Sequence, residues 1–531
     1  MSHTPINICL IVDSATITKW EFDALEIALK RRQARICSVL FCTNSMKKTK
    51  LTKYPFYYLL NVLSMRNAWT RRLHWKTLLG ADTPILLFEA TDTRGWQLIP
   101  VETLADLELI KPDVIIKFGM NLLKDPDQIP SKFGVLSFHH GDPTKFRGRP
   151  AGFYELLQNQ STIGVIVQKL SNSLDAGEIY ASGSFRCTSH SYKKTLENAY
   201  GNGRYLLSKA LSSIETPFKP QIVGSLYTLP RNRTIVKFLF LLLKRKIKWL
   251  SNSAFHQKRW KISTSPISKD VFFENYELLT GQREIPIPTD VNFVADPFFL
   301  SDGTIICEMT KKGSITGQLA VIGEDRIEAI HSGNHLSGKH TSFPFPFEHE
   351  GSHFLLPEMA SVGSQSIFRI EPNYDLTFVQ TLLGLEEEKL IDPVLFFKDD
   401  TWWLFAGRSG SESDLLFLWT SDSFTNEFKE HIISPVVTKS EFARNGGAIC
   451  HHNGNYYRIA QDGTGKYGDG LSVMLINQLS HFIYEEEQVA RIKFPNAFGP
   501  HTLNFEQDRL VFDHYDEKFN ALSWIIKLRL K

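Results

Sequence analysis

The chain has 531 residues, 42% hydrophobic and 22% charged, with a formal net charge of +3. That length is too great for one hydrophobic core and calls for two or three domains of roughly 100 to 250 residues each. The weak net charge excludes a nucleic-acid partner held by the whole surface. The six scattered cysteines (Cys9, Cys37, Cys42, Cys187, Cys307 and Cys450) include no Cys-x-x-Cys pair, which excludes a zinc site and a disulfide framework.

The first residues, MSHTPINICLIVDSATITKW, lack a basic region followed by an apolar one, so the expected location is cytoplasmic. An apolar run at Ile6 to Ser14, helical spacing of Phe22, Leu25, Ala28 and Leu29, and a second apolar run ARICSVLFC form βαβ grammar. TPILLFEA, PDVIIKFG and GVLSFHH add strands that each lead into a polar loop. This predicts a Rossmann-like α/β domain over residues 1–212, with a parallel sheet and its sites at the strand ends. Helices are predicted at AGFYELLQN and at YKKTLENAYGNGRYLLSKAL; Gly201 lies inside the second pattern and reads as a small-residue contact, not as a dinucleotide loop.

Residues 213–284 read as a connector. Its segment RNRTIVKFLFLLLKRKIKWL (231–250) has an apolar centre about half the ~20 residues needed to span a bilayer. Two readings stay open for it: a helix packed between domains, or a peripheral contact with the inner face of a membrane.

From about residue 285 strands and turns take over. Five segments recur at a period of about fifty residues: FVADPFFLSDGTIICEM, HTSFPFPFEHEGSHFLLPEM, LIDPVLFFKDDTWWLFAGR, NGGAICHHNGNYYRIAQD and FGPHTLNFEQDRLVFDHYD. They predict an all-β, five-bladed propeller over 285–531, with the first strand of each blade on the central axis. Asp296 and Asp392 occupy equivalent places before a proline, and Glu308 and Glu358 are expected to end second strands. With His340 and Arg444 they make a candidate axial pocket for a glycan, since an acid and a base flank the bond in glycoside chemistry.

In the first domain the chemistry centres on His139, at the end of a predicted strand where α/β folds place ligands. Asp175, in a Leu-Asp-Ala-Gly loop after another strand, can orient and stabilise an imidazole. His139, then Arg147-Gly148, a helix, a strand and Leu174-Asp175-Ala176-Gly177 resemble the folate-dependent formyltransferases over residues 1 to 210.

The resemblance implies formyl transfer from 10-formyltetrahydrofolate, without a metal, to an amine. His139 would shuttle the proton, Asp175 would orient it, and Ser137, where that family has Asn, would help hold the oxyanion. Backbone of Phe118, Gly119, Met120, Asn121, Leu122 and Leu123, with Leu174 and Gly177, would contact the folate; His140, Asp142 and Arg147 would face the acceptor.

The repeats resemble the arabinan-hydrolase and levansucrase propellers. They are more closely similar to the N-terminal domain of glucosamine inositolphosphorylceramide transferase, through VADPF, HTSFPF, LLPE and WWLFAG. Asn445 stands where the hydrolases carry a general-acid Glu, and an amide cannot donate a proton as an acid does. Together these resemblances imply N-formylation of a nucleotide- or lipid-linked amino sugar in surface polysaccharide or glycolipid assembly. The alternatives are a glycosyltransferase or glycoside-active propeller beside a vestigial formyltransferase domain, and formylation of an amino-acid amine. Oligomeric state is not legible.

Overall fold

The computed structural model describes the chain apart from residues 1–4, 33, 46–50, 94, 222, 277–280, 324–325, 332, 466, 469, 494–497, 522 and 524–531. It forms two units, Met1–Ile247 and Lys248–Lys531.

Unit 1 is built on a seven-stranded sheet. Its spatial order is Ile179–Arg186, Thr162–Lys169, Val135–His139, Val114–Lys117, Asn7–Val12, Arg35–Cys42 and Ile85–Phe88. The continuous apolar run of Asn7–Val12 is buried from Ile8 onward, as expected of a strand covered on both faces. The predicted parallel sheet holds from Val135–His139 to Ile85–Phe88. The last two strands instead run antiparallel, because a short loop joins Thr162–Lys169 to Ile179–Arg186 and a short loop can only return the chain.

The helical stretch predicted over 192–212 is two helices, Tyr192–Gly203 and Leu206–Ser212. A Cβ on Gly201 would lie 2.9 Å from the Trp69 ring, so this glycine is a helix contact. The helix Asn232–Phe255 begins in unit 1, where Phe238 packs on Phe153 and Tyr192.

Among its described residues unit 2 holds five antiparallel sheets. The first runs from Val291–Phe299 to Ile327–Ala329, the second from Ser342–His349 to Leu376–Thr381, and the third from Leu390–Lys398 to Lys429–Glu430. The fourth runs from Arg444–Asn445 to Tyr484–Ile492. The fifth joins the two ends of the unit: His256–Ser265 pairs along its whole length with Leu510–Phe519, flanked by Leu503–Phe505 and Arg283–Glu284. This corrects the connector assigned to 213–284, since His256–Ser265 is a strand of this unit. A sequence pattern cannot show a strand whose partner lies some 250 residues away.

Apolar faces pack each sheet on the next. Phe298 meets Phe343 between the first and second sheets, and Phe347 and Phe354 meet Trp402 and Phe424 between the second and third. Trp403 and Leu418 share a core with Tyr484, joining the third and fourth. Ile459 and Val473 share one with Leu510 and Phe512, joining the fourth and fifth. Ile262 and Val511 pack with Val294 and Cys307, joining the fifth to the first.

Three first strands repeat one backbone device. Asp296, Phe343 and Asp392 each precede a proline, sit at a register shift and take a positive φ of 52°, 41° and 47°. A β-bulge re-aims the side chain it carries. Positive φ at a bulky residue is costly and persists only when the surroundings over-determine it. The bulge therefore explains how Asp296 and Asp392, equivalent in sequence, become equivalent in space.

Candidate functional site

In unit 1 the structure brings His139 and Asp175 together as the loop spacing predicts. His139 Nδ1 lies 3.2 Å from Asp175 Oδ1, and its Nε2 is 3.4 Å from the Phe146 carbonyl. Asp175 is held in turn by the Gly148 N–H at 2.7 Å and by Gln168 at 3.3 Å. Arg147, expected at the acceptor, instead donates from Nε and Nη2 to the Leu174 carbonyl at 3.1 and 2.6 Å and fixes the Leu-Asp-Ala-Gly loop. Gly177 is required there: a Cβ would come 1.7 Å from the Lys169 carbonyl oxygen.

His140, expected to face the acceptor, is packed among aromatic rings. It lies among Trp20, Phe138 and Tyr200, and burial, then His139, push its pKa down to about 3. Asp142 accepts from Thr144 N and Oγ1 at 2.9 and 2.6 Å, closing its own turn. The Ser137 hydroxyl donates to the Lys117 carbonyl at 3.4 Å.

In the expected folate-binding segment the N–H donors of Phe118 to Asn121 are paired within the chain. Phe118 and Gly119 donate to the Ile11 carbonyl, Met120 to Asp13 and Asn121 to Gln97. Leu122 and Leu123 pair with Trp96 and Gln97.

In unit 2 the predicted carboxylates Asp392, Glu358 and Asp296 are each held by polar partners. Asp392 is gripped by Arg444, with Nε to Oδ2 at 2.5 Å and Nη2 to Oδ1 at 3.3 Å, and by Gln461 at 3.1 Å. The Asp392 N–H donates to Glu358 Oε2 at 3.1 Å, which places the Glu358 carboxyl against the Asp392 backbone. Asp296 accepts from Thr502 at 2.7 Å and stands 3.3 Å from His501 Nδ1. Glu308 Oε1 lies over Gly317, where a Cβ would meet both that oxygen and His340. His340 Nδ1 accepts from the Gly317 N–H at 2.8 Å, so the imidazole predicted at the rim is tied down beside Glu308. Glu358 does end its strand, whereas Glu308 lies inside Ile305–Lys311.

Sequence reasoning missed a chain of three groups. Tyr467 OH is 2.5 Å from His501 Nε2, and His501 Nδ1 is 2.9 Å from Asp513 Oδ2. Spacing holds no signal for that chain, but the repeats hold one for another residue, Gln461. In the sheets, Glu308 pairs with Ala295, Glu358 with Ser342, Gly407 with Ile391 and Gln461 with Arg444, each partner standing just before an inward-aimed first-strand residue. Aligning the five segments by this register marks Gln461 as the counterpart of the two glutamates.

Asp296, His501 and Asp513 also bring ligand-type atoms within 4.8 Å of one another. Asp513, however, already accepts from three backbone N–H groups, of Asp296, His501 and Thr502, and from the His501 ring, which makes it the anchor of the cluster.

Asn445 donates to the carbonyls of Asp392 and Phe405 at 2.8 and 3.0 Å. It braces the backbone of Asp392 and Phe405. Burial, reinforced by the negative charge of Asp392, raises the Glu358 pKa to about 8. Burial raises Asp296 to about 6 against the opposing pull of His501. Burial, then Asp296, raises Glu308. For His501, burial opposes the charge, but Asp513 and Asp296 outweigh it and lift the pKa.

These shifts have one sign for stability. Between the ordinary carboxylate range near ~4 and the raised values, the folded state holds protons that the unfolded state releases. The His501 contribution is present below its ordinary pKa and is lost as pH rises through the raised one. Calorimetry of the full chain should show the unit 2 transition moving to higher temperature as pH falls from about 8 to about 5. In Glu358→Gln that dependence should flatten, and an unchanged slope would contradict the assignment.

Comparison with known proteins bears on this second unit. Residues 275–500 match the family described as glucosamine inositolphosphorylceramide transferase 1, N-terminal. The transferase of that name from Arabidopsis thaliana is 29% identical over 210 residues, covering 37% of this chain and 27% of that protein. Its counterpart from Oryza sativa subsp. japonica is 30% identical over 211 residues, covering 37% and 28%. The chain thus spans about a quarter of the length of these relatives. Among solved structures, an N-formyltransferase from Helicobacter canadensis aligns at 14% identity and a TM-score of 0.30, over 61% of this chain and 98% of that one. A family 117 glycoside hydrolase from Zobellia galactanivorans aligns at 8% identity and a TM-score of 0.31, over 50% and 92%.

The matches to the transferases correct the expectation of formyl transfer to an amino sugar. The relatives that match in sequence are named glucosamine inositolphosphorylceramide transferase 1, and the family model of that name matches residues 275–500, within unit 2.

Proposed function

We propose that unit 2 is a five-bladed propeller whose axial pocket works on the glycosidic linkage of an amino-sugar glycan, as a glycosyl-transferring enzyme. Ring closure is supported by the packing of each sheet on the next and of the fifth on the first. The substrate class follows the name of the matched relatives: a glucosamine-bearing glycolipid. The observation that carries the chemistry is the set of buried carboxyls, Glu358 against the Asp392 N–H and Asp296 between Thr502 and His501, with pKa values raised to about 8 and about 6.

In this reading protonated Glu358 gives its proton to the departing glycosidic oxygen, and ionised Asp296 takes the proton of the incoming hydroxyl. Asp392, paired with Arg444, supplies fixed negative charge where the anomeric carbon becomes positive. Unit 1 enters as a vestigial domain, its expected donors at 118–121 turned inward.

The test is mass spectrometry of glucosamine-bearing glycolipids incubated with the full chain and a hydroxyl acceptor. A hexosamine gained or lost, abolished in Asp392→Asn, is the expected result. Absence of both turnover and binding across such a panel would sink the reading.

A further inference from the structure

Unit 1 carries two basic, acid-free stretches, and each exposes an apolar helix face. Residues 27–81 contain 12 Lys and Arg and no Asp or Glu; residues 216–247 contain 7 and none. The overall charge of only +3 makes this a local polarisation.

The part of the helix Asn232–Phe255 that lies in unit 1 has two distinct faces. One is docked: Ile235 and Phe238 are buried, Phe238 on Phe153 and Tyr192, and Arg245 ties the helix down through the Leu156 carbonyl at 2.8 Å and Asn159 at 2.9 Å. The other presents Val236, Phe240, Leu243 and Ile247 at helical spacing, with Phe240 70% exposed. Arg233, Lys237 and Lys244 are exposed beside them. The helix Pro55–Met65 repeats the pattern with Phe56, Leu59, Val62 and Leu63 exposed. It packs on the helix Tyr192–Gly203, which also carries Tyr192 against Phe238.

Among the described residues no helix is long and apolar enough to cross a membrane. A helix with one face fixed to its domain and the other apolar between lysines lies in an interface plane. We propose that this face of unit 1 seats on the surface of an anionic bilayer, with Phe240 and Leu243 entering the headgroup layer and Lys237 and Lys244 meeting lipid phosphates. Charge complementarity selects the occupant: seven basic and no acidic residues over 216–247 suit acidic headgroups, and exposed Leu and Phe gain nothing from a nucleic acid. The surface does not depend on the chemistry of the unit 2 pocket.

Co-sedimentation of the full chain with vesicles tests this. Binding is expected to vesicles of phosphatidylglycerol mixed with phosphatidylcholine, weakening with salt, and not to phosphatidylcholine alone. The pair Lys237→Glu and Lys244→Glu should weaken it about tenfold or more, as should Phe240→Ser with Leu243→Ser. Circular dichroism confirms folding, and Phe240→Ser alone serves if a double variant is unstable. Glu358→Gln should bind vesicles like the parent, which separates this surface from the pocket. No sedimentation with the anionic vesicles, or equal binding by folded variants, overturns the proposal. Self-association lost in Phe240→Ser with Leu243→Ser, without vesicle binding, would give the face to a second copy.

Discussion

Glu358→Gln is expected to lower glycosyl turnover by about 10²- to 10⁴-fold while glycan affinity changes little, because the amide keeps the shape of the acid and cannot give up a proton. The size follows from what the group is asked to do. Its burial against Asp392 keeps it protonated near neutral pH, up to about 8, and so able to donate. Asp296, at about 6, is largely ionised over the same range and able to accept. Turnover should therefore rise with pH through about 6 and fall through about 8. Asp296→Asn should remove the acidic limb, and Glu358→Gln the alkaline one with most of the rate. Measuring kcat/KM against pH for the three proteins decides it: a parent-like profile in Glu358→Gln would assign the acid elsewhere, with Glu308 next in line.

Arg458→Ala should carry the largest cost in stability, about 3–5 kcal/mol. Arg458 is 1% exposed, bonded to Glu486 at 2.9 and 2.6 Å and to the Phe442 carbonyl at 2.7 Å. Glu486 also accepts from Tyr484 at 2.5 Å. Removing the guanidinium leaves a buried carboxylate with one hydroxyl as its remaining partner here, a penalty larger than the net worth of the pair. Replacing both partners, Arg458→Met with Glu486→Leu, should recover most of the loss. Urea denaturation of the full chain measures both, and a loss under about 1 kcal/mol in Arg458→Ala would show that water reaches Glu486. Arg458 also holds Asn445 Oδ1 at 3.3 Å, and Asn445 braces the Asp392 backbone, so the loss should extend to the pocket.

Much of the architecture was legible from pattern alone. Apolar runs with helical stretches between them mark buried parallel strands, and Asn7–Val12, Arg35–Cys42 and Val114–Lys117 form as read. The five repeats of unit 2 became five sheets because each repeat must bury its apolar face on a neighbour. Asp296 and Asp392 were legible as equivalents because the proline that follows each marks the bulge that turns it inward.

Three things were decided only by tertiary structure. His256–Ser265 finds its partner in Leu510–Phe519, and nothing local to either segment records that pairing. The Tyr467, His501 and Asp513 chain is assembled from residues on separate elements whose roles depend on distances, not spacing. The third is the set of partners each candidate group finds: His139 pairs with Asp175 as its spacing predicts, whereas Arg147 turns to the Leu174 carbonyl. Glu358 and Asp296 look like ordinary carboxylates in the chain, and their pKa values rise only because folding removes water from around them.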